Sequence, residues 1–211
     1  LEYLQKRGLT QDSIEKFELG YALNSYDAGL GYFVGKGYSW DELMEVGLIS
    51  EKRDGGGYFD RFRDRVIFPI RTGNGVMAGF GARTMNPDDP AKYLNSPQTE
   101  FFDKGSLLYG LHASRKAIRA SSQVVIVEGY MDVIVPHQAG FENVVSPMGT
   151  ALSENHLRQI KRLASKIILA LDADAAGEKA TMRGLEVARG SLERSGEIVF
   201  DARGLMRHEA R

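Results

Sequence analysis

The chain has 211 residues and a mass of 23.4 kDa, enough for one domain or two closely joined subdomains. Its 43% hydrophobic and 26% charged residues are typical of a folded globular protein and exclude a disordered, collagenous or coiled-coil chain. The absence of cysteine excludes disulfides, thiol nucleophiles and cysteine-ligated zinc, and it fits a reducing compartment.

No apolar run approaches the roughly 20 residues of a membrane helix, and the first residues lack the apolar stretch of a signal peptide. We therefore expect a soluble, cytoplasmic domain without a membrane partner. The missing initiator Met predicts that the chain is an excised fragment.

The net charge of −1 is unevenly distributed along the chain. Residues 1–60 carry 6 basic and 11 acidic side chains, residues 61–120 carry 10 and 5, and residues 121–211 carry 11 and 12. A basic middle segment is typical of a groove for a polyanion, although a block of sequence is not by itself a surface patch.

The N-terminal part, residues 1–120, alternates short periodic segments with glycine-rich turns, which predicts a small α+β subdomain. Short helices are predicted at residues 1–8, 10–18 and 39–49, with Thr10 or Asp12 capping the second and Trp40 in the core. A strand at 65–70 leads into a hairpin at Asn74-Gly75, because both turn positions tolerate positive φ. A long polar loop follows at 86–105, and loops of this length are uncommon unless they are functional.

The C-terminal part, residues 121–211, changes to a strand–helix rhythm. Short apolar strands are predicted at 123–127, 143–146, 166–171 and 197–200, and helices at 130–139, 153–164 and 175–189. Such a pattern indicates a parallel sheet covered by helices on both faces. Ser153 suits the N-cap of the second helix, and Pro136 should kink or shorten the first.

Carboxylates follow the predicted strands where those strands end. Glu128 leaves the first strand, Asp172 and Asp174 leave the third, and Asp132 comes one helical turn after Glu128. Ligands of such sheets bind at the carboxyl ends of the strands, and crowded carboxylates are relieved by divalent cations. Oxygen-only ligands favour Mg²⁺ or Mn²⁺, which clamp phosphates.

An ordinary explanation stands beside this one. A single Glu-Gly or Asp-x-Asp is usually a solvated loop or a helix cap, and Asp174 suits the dipole of the helix that follows it. The four histidines have no metal-ligand spacing and are expected to be surface or core residues, and Tyr130 is expected to be a packing residue.

Three C-terminal segments, EGYMDVI, SPMGTAL and LALDADAAGEKAT, resemble the TOPRIM domain shared by bacterial primases, type IA and type II topoisomerases and some nucleases. Four upstream segments, RFRDRVIFPI, GFGAR, KYLNSPQTEFFDKG and LLYGL, resemble the RNA polymerase core of the DnaG-type bacterial replicative primases. Topoisomerases lack this second set, so the combination is much more specific than TOPRIM alone. The resemblance spans essentially all 211 residues.

The resemblance implies a fold of the α/β plus α+β class, in which an N-terminal mixed α+β subdomain (1–120) with a basic groove precedes a TOPRIM-like parallel-sheet domain with flanking helices (121–211). It makes Glu128 the general base toward an attacking 3′-hydroxyl, with Asp172 and Asp174 as the metal pair on the incoming triphosphate. Glu128 and Asp132 complete the implied metal site.

For the basic groove, the resemblance implies that phosphates of template and nucleotide are contacted by Arg83, Lys92, Asn95 and Lys104. For Arg61, Arg63 and Arg65, nucleic-acid contact and a structural role both remain open. At least one of these three arginines is expected to neutralise Asp60 or Asp64.

The implied activity is that of a DNA-dependent RNA polymerase, which makes short RNA primers from ribonucleoside triphosphates on single-stranded DNA during replication. Its implied partners are the template, the RNA–DNA hybrid and, through a C-terminal domain missing here, the replicative helicase. The family's cysteine-ligated zinc module is absent, so no zinc is expected in this fragment. A downstream acidic segment resembling D-G-x-D-P-D is also absent, which predicts a C-terminally incomplete TOPRIM domain and little or no activity of the fragment alone.

Two other classes of protein remain as alternatives. A TOPRIM topoisomerase needs a nucleophilic tyrosine in another domain and lacks the KYLNSP segment. A non-catalytic nucleic-acid scaffold keeps the basic middle segment but tolerates loss of the carboxylates.

Overall fold

The computed structural model describes residues 1–172, 198–200 and 206–208. Within them the helices are α1 (Glu2–Lys6), α2 (Gln11–Lys16), α3 (Ala28–Gly35), α4 (Trp40–Glu45), α5 (Leu111–Ser121), α6 (Tyr130–Gln138) and α7 (Glu154–Lys161). The strands are β1 (Gly20–Ala22), β2 (Ile49–Glu51), β3 (Tyr58–Asp60), β4 (Arg65–Arg71), β5 (Met77–Thr84), β6 (Tyr93–Asn95), β7 (Gln123–Ile126), β8 (Val144–Val145), β9 (Lys166–Leu169), β10 (Ile198–Phe200) and β11 (Met206–His208). None of the helices in these ranges has the length and apolar character needed to cross a bilayer.

Contacts group the chain into two compact units. The basic unit contains residues 14–70 and 77–103, and the acidic unit contains residues 1–13, 71–76 and 104–211. We name them after the predicted site residues that they carry and not after their formal charge, which is −5 for the basic unit (9 basic and 14 acidic side chains) and +4 for the acidic unit (18 and 14). The boundary predicted at residue 121 follows the sequence pattern and stays a prediction, whereas this grouping follows contacts in space.

The basic unit is built on a four-stranded sheet in the order β1-β4-β5-β6, beside the two-stranded pair β2–β3. Strand β4 confirms the predicted strand at 65–70. Its alternate side chains Val66, Phe68 and Ile70 are buried, as expected where one face of a strand packs on a core. The predicted loop at 86–105 contains a short strand, β6, which pairs antiparallel with β5.

The arginines around β4 are not held as the sequence predicted. Buried Arg65 forms an ion pair with Asp89 and donates to the main-chain oxygen of Ala91 at 2.8 Å. The expectation of an arginine partner for the carboxylates of Asp60 or Asp64 is wrong. The carboxylate of Asp60 accepts the two N–H groups of Gly29 and Leu30, at 2.6 and 2.7 Å, and that of Asp64 accepts the hydroxyl of Tyr21 at 2.7 Å.

The hairpin between β4 and β5 is present, but its turn differs from the predicted one. The N–H of Gly75 donates to the oxygen of Thr72 at 2.9 Å, and the N–H of Thr72 donates to the oxygen of Val76 at 2.8 Å. Gly75 has a φ of 88°, whereas Asn74 does not have a positive φ. The turn is therefore a three-residue loop closed by a glycine bulge, a common hairpin alternative.

The acidic unit contains a five-stranded sheet in the order β10-β11-β9-β7-β8. Strands β7, β8 and β9 are parallel, which confirms the predicted parallel sheet for these three. Strand β10 lies at the predicted fourth position, but it pairs antiparallel with β11, which in turn pairs antiparallel with β9. The sequence analysis did not predict β11.

Helices α6 and α7 confirm two of the three helices predicted for this part, and the third, at 175–189, lies outside the described residues. Pro136 lies inside α6, which continues to Gln138. The predicted caps Thr10 and Ser153 both accept a main-chain N–H, from Ser13 at 3.3 Å and from His156 at 3.1 Å. The sequence analysis missed α3 and α5.

Trp40 corrects a further prediction. It was expected in the core, but its side chain is 55% exposed and its ring lies 5.4 Å from that of Tyr58.

A substitution at Gly110 tests the packing around the start of α5. Gly110 has a φ of 80°, and a Cβ there would lie 2.7 Å from Val133 Cγ1. Gly140 has a similar φ of 89° but nothing within 4 Å of the same position. Gly140→Ala should therefore cost only backbone strain, about 1–2 kcal/mol. Gly110→Ala should lose about 1–3 kcal/mol more through overpacking, as measured by denaturant unfolding. Equal losses for the two variants would contradict this packing.

A second substitution tests the ion pair of Arg65. Asp89→Ala leaves a guanidinium buried without its carboxylate, so the free energy of unfolding should fall by about 2–3 kcal/mol. The control is Asp88→Ala, which removes an exposed neighbouring carboxylate and should change it by less than about 0.5 kcal/mol. Thermal unfolding of both variants measures the difference. Similar unfolding midpoints for the two variants would mean that the ion pair between Arg65 and Asp89 adds little to the free energy of unfolding.

Candidate functional site

The end of β7 positions Glu128 at the edge of the parallel sheet. Its main-chain oxygen accepts the hydroxyl of Ser146 at 2.6 Å and the N–H of Gly149 at 3.3 Å. Its side chain is half-buried. The exit of β8 therefore fixes the backbone from which the Glu128 carboxylate projects.

A hydrogen bond brings the exits of β7 and β9 together. The two strands are adjacent and parallel, with Ile126 opposite Leu169. Beyond them, the N–H of Asp172 donates to Oε1 of Glu128 at 3.0 Å. Asp172 itself is exposed. Glu128 and Asp172, predicted as site residues from separate motifs, thus lie side by side.

The other two predicted acidic residues have different positions. Asp132 lies in the first turn of α6, where its Oδ2 accepts the N–H of Gly129 at 3.0 Å and so caps the helix. Asp174 lies outside the described residues. Among the residues that the structure does describe, no three metal-binding side chains of the His, Cys, Asp or Glu type come together.

The loop after β8 owes its shape to two successive residues in the left-handed region. Met148 has a φ of 58° and Gly149 a φ of 75°. Ser146 stabilises this turn because its Oγ accepts the N–H of Met148 at 2.9 Å while its hydroxyl donates to Glu128. Sequence reasoning missed this function of Ser146, and the only signal was its place in the SPMGTAL motif.

In the basic unit, the β5–β6 pair presents part of the predicted basic groove. Arg83 lies opposite Tyr93, and Gly81 lies opposite Asn95. Since side chains alternate along a strand, Arg83, Tyr93 and Asn95 share one face. Lys92 is exposed and precedes β6, where its main-chain oxygen accepts the N–H of Thr84 at 3.1 Å.

Arg61 and Arg63 are anchored by main-chain oxygens. The Nε and Nη2 atoms of Arg61 donate to the oxygen of Asn95 at 3.3 and 3.0 Å, and burial lowers the pKa of this guanidinium. Arg63 donates to the main-chain oxygen of Asp60. Its guanidinium carbon lies 4.7 Å from the ring centre of Tyr26 and 5.0 Å from that of Phe59, distances typical of cation–π contacts.

Sequence reasoning missed Tyr26 and Phe59. Both are aromatic neighbours of Arg63, and Tyr26 is 67% exposed. An exposed aromatic ring beside an arginine is a feature of surfaces on which nucleic-acid bases stack.

Lys104, the remaining predicted groove residue, belongs to the acidic unit and not to the unit that carries Arg83, Lys92 and Asn95. Its main-chain oxygen is 3.0 Å from Nε2 of His156. The structure thus places Glu128, Asp132, Asp172 and Lys104 in one unit and the other predicted basic residues in the second.

Two family models match the chain. Residues 1–115 match the N-terminal domain of the DNA primase catalytic core, and residues 122–198 match the Toprim domain. Together they cover most of the chain, in the order that the sequence motifs predicted.

Curated relatives carry the same description. The DNA primase of Deinococcus radiodurans is 46% identical over 192 residues, which cover 90% of this chain and 34% of that protein. The DNA primase of Pseudomonas aeruginosa is 42% identical over 200 residues, which cover 95% of this chain and 30% of that protein. The chain therefore spans about a third of the length of the relatives that it matches.

Solved structures show the same fold. A DNA primase domain from Pseudomonas aeruginosa superposes with a TM-score of 0.82 at 41% identity, covering 93% of this chain and 60% of that one. A DnaG primase catalytic domain bound to single-stranded DNA gives a TM-score of 0.81 at 37% identity, covering 89% and 58%. With two matching family models in order and relatives above 40% identity, the chain belongs to the DnaG-type DNA primase family and corresponds to part of its catalytic core.

Proposed function

We propose that the chain is the catalytic part of a DNA primase, which synthesises short RNA primers on single-stranded DNA by metal-assisted nucleotidyl transfer. The observation that carries this proposal is the 3.0 Å hydrogen bond from the N–H of Asp172 to the carboxylate of Glu128. It joins two acidic strand exits at the edge where α/β sheets bind their ligands.

Glu128 is proposed as the base toward the 3′-hydroxyl of the growing primer. Its Oε1 is held by the N–H of Asp172, and its backbone is held by Ser146 and Gly149. Such anchoring orients the second carboxylate oxygen, Oε2, without further rearrangement. An oriented carboxylate accepts a proton more effectively in the transition state than a mobile one.

The donor chemistry of this edge fits Mg²⁺ or Mn²⁺. Glu128 and Asp172 provide oxygen atoms only, and Mg²⁺ is commonly bound through one or two carboxylates together with substrate phosphates. We propose Glu128, Asp172 and Asp174 as ligands, with Asp132 as a neighbouring acidic group whose Oδ2 is engaged by Gly129. When bound, the cation neutralises charge on the triphosphate of the incoming nucleotide.

The basic residues are proposed to contact phosphates of the template and of the nucleotide. Arg83 and Asn95 share a face of the β5–β6 pair, and Lys92 is exposed beside it. Arg61 and Arg63 are rigidly anchored guanidiniums, and Tyr26 beside Arg63 offers a ring for a base. Lys104 is proposed as a phosphate contact within the acidic unit. A related primase domain bound to single-stranded DNA supports the template as a partner.

The remaining partners follow from family membership. We propose ribonucleoside triphosphates as substrates, the RNA–DNA hybrid as product and a replicative helicase as a partner of the full-length protein in the cytoplasm. We also propose the division into an N-terminal subdomain (1–120) and a TOPRIM domain (121–211), with no zinc held by this chain, which contains no cysteine.

Glu128→Gln in the full-length protein tests the proposed catalytic function. The amide keeps the size of the side chain and an oxygen for the N–H of Asp172, but it loses charge and basicity. Primer synthesis on single-stranded DNA with ribonucleotides and Mg²⁺ should fall by about 10²–10⁴, the usual effect of losing a general base. Folding and DNA binding should remain.

Glu154→Gln is the matched control, because Glu154 is an exposed carboxylate of the same unit. This variant should keep wild-type synthesis. A Glu128→Gln protein within threefold of wild type would refute the assignment, since threefold corresponds to only about 0.65 kcal/mol of barrier.

Manganese tests the proposed cation site. Crystals soaked in Mn²⁺ should show an anomalous peak beside Glu128 and Asp172, because both carboxylates favour a divalent cation. The double variant Asp172→Asn, Asp174→Asn should lose this peak, and Asp88→Asn should keep it. Anomalous peaks that appear only at other carboxylates would contradict the assignment of Glu128 and Asp172 as cation ligands.

A further inference from the structure

Side chains of helix α7 and its N-cap form hydrogen bonds with the main-chain oxygens of three consecutive residues, the first of which is Lys104. Nε2 of His156 bonds the main-chain oxygen of Lys104 at 3.0 Å. The hydroxyl of Ser153 donates to the oxygen of Gly105, and Nε2 of Gln159 donates to that of Ser106, both at 2.5 Å. We call Ser153, His156 and Gln159 the α7 clamp.

The partners of His156 define its protonation. Its Nδ1 accepts the N–H of Ser153 at 3.2 Å, so this nitrogen carries no proton. Nε2 then carries the ring hydrogen and donates it to Lys104. The ring is fully buried, and both of its nitrogens are engaged. A buried imidazole bonded at both ends fixes the distance between the start of α7 and the Lys104 backbone.

The stretch that carries the clamp also holds Glu128. Ser146, seven residues before Ser153, donates its hydroxyl to the main-chain oxygen of Glu128. On its other side Ser146 exchanges two main-chain hydrogen bonds with Tyr109, at 2.8 and 3.1 Å. Tyr109 is buried and lies five residues after Lys104. One stretch, residues 146–159, therefore contacts both the Lys104 segment and the proposed catalytic carboxylate.

We propose that His156, supported by Ser153 and Gln159, is a positioning residue that fixes Lys104 for phosphate contact relative to Glu128. This inference rests on the proposed function, because it requires that Lys104 meets a phosphate. A lysine side chain is long, so the point that its ammonium group can reach depends on where its backbone is fixed. Small displacements of positioning groups are costly in such sites.

A purely structural function of His156 gives a different expectation. Ser153 already caps α7 by accepting the N–H of His156 at 3.1 Å. If His156 only supports the helix, its loss lowers stability and leaves the charge contacts of the bound complex unchanged. If it positions Lys104, its loss also removes the contribution of Lys104 to the salt dependence of binding.

The test measures single-stranded DNA binding by the 211-residue chain over a range of salt concentrations. Each phosphate contact contributes about −0.7 to the slope of log K against log salt for single strands. Lys104→Ala should flatten the slope by about this amount, and His156→Leu should do the same. In the Lys104→Ala background, His156→Leu should cause no further change.

His156→Gln provides a conservative rescue. Its amide oxygen can accept the N–H of Ser153 while its amide nitrogen donates to Lys104, so the wild-type slope should be kept. His112→Leu, at an exposed histidine, is the control and should also keep it. Should the leucine variant not fold, Gln159→Ala, which removes the contact to Ser106 and a longer one to Asn155 within the helix, should flatten the slope partially.

The other possible results would contradict either the positioning function of His156 or the proposed template contact. Additive effects of His156→Leu and Lys104→Ala, or a glutamine variant as weak as the leucine variant, would overturn the positioning function. An unchanged slope in Lys104→Ala would also overturn it. A wild-type chain without salt-dependent binding would instead count against the proposed template contact, and primer synthesis by Glu128→Gln tests the catalytic proposal separately.

Discussion

The parallel pairing of β7 with β9 is the constraint on which the proposed site depends. It places the exits of two strands at one edge, where the N–H of Asp172 reaches the carboxylate of Glu128. The main-chain N–H of Asp172 carries a partial positive charge and faces the Glu128 carboxylate, and the sheet supplies this donor through its register. The Glu128 carboxylate is therefore held at this edge by the backbone of the neighbouring strand exit.

Much of this arrangement could be predicted because it is local. Apolar runs identified the three parallel strands, and the rule that ligands bind at the carboxyl ends of such strands then placed Glu128 and Asp172 at one edge. Asp132 shows the limit of such reasoning. Spacing put it on the helix face below Glu128, but spacing does not reveal a nearer donor, the N–H of Gly129, which engages Asp132 as a cap.

Contacts between distant segments could not be predicted. The partner of Arg65 is Asp89, 24 residues away, although two aspartates lie much closer in sequence. Those nearer carboxylates are occupied by main-chain N–H groups and a tyrosine hydroxyl, and only the folded chain presents these donors. Helix α5 was missed although its buried residues, Leu111, Ser114 and Ile118, recur at helical spacing, because one of the three is a serine and not an apolar residue.

The anchoring of Arg61 and Arg63 by carbonyl oxygens has an electrostatic consequence. A carboxylate partner would orient a guanidinium equally well, but it would cancel the charge that a polyanion senses at a distance. A neutral carbonyl orients the same group and leaves its full unit of charge to the surrounding field. Arg61 and Arg63 thus combine a fixed orientation with a local positive charge that no carboxylate partner in the described part of the chain cancels, and this combination favours a short-range contact with a phosphate.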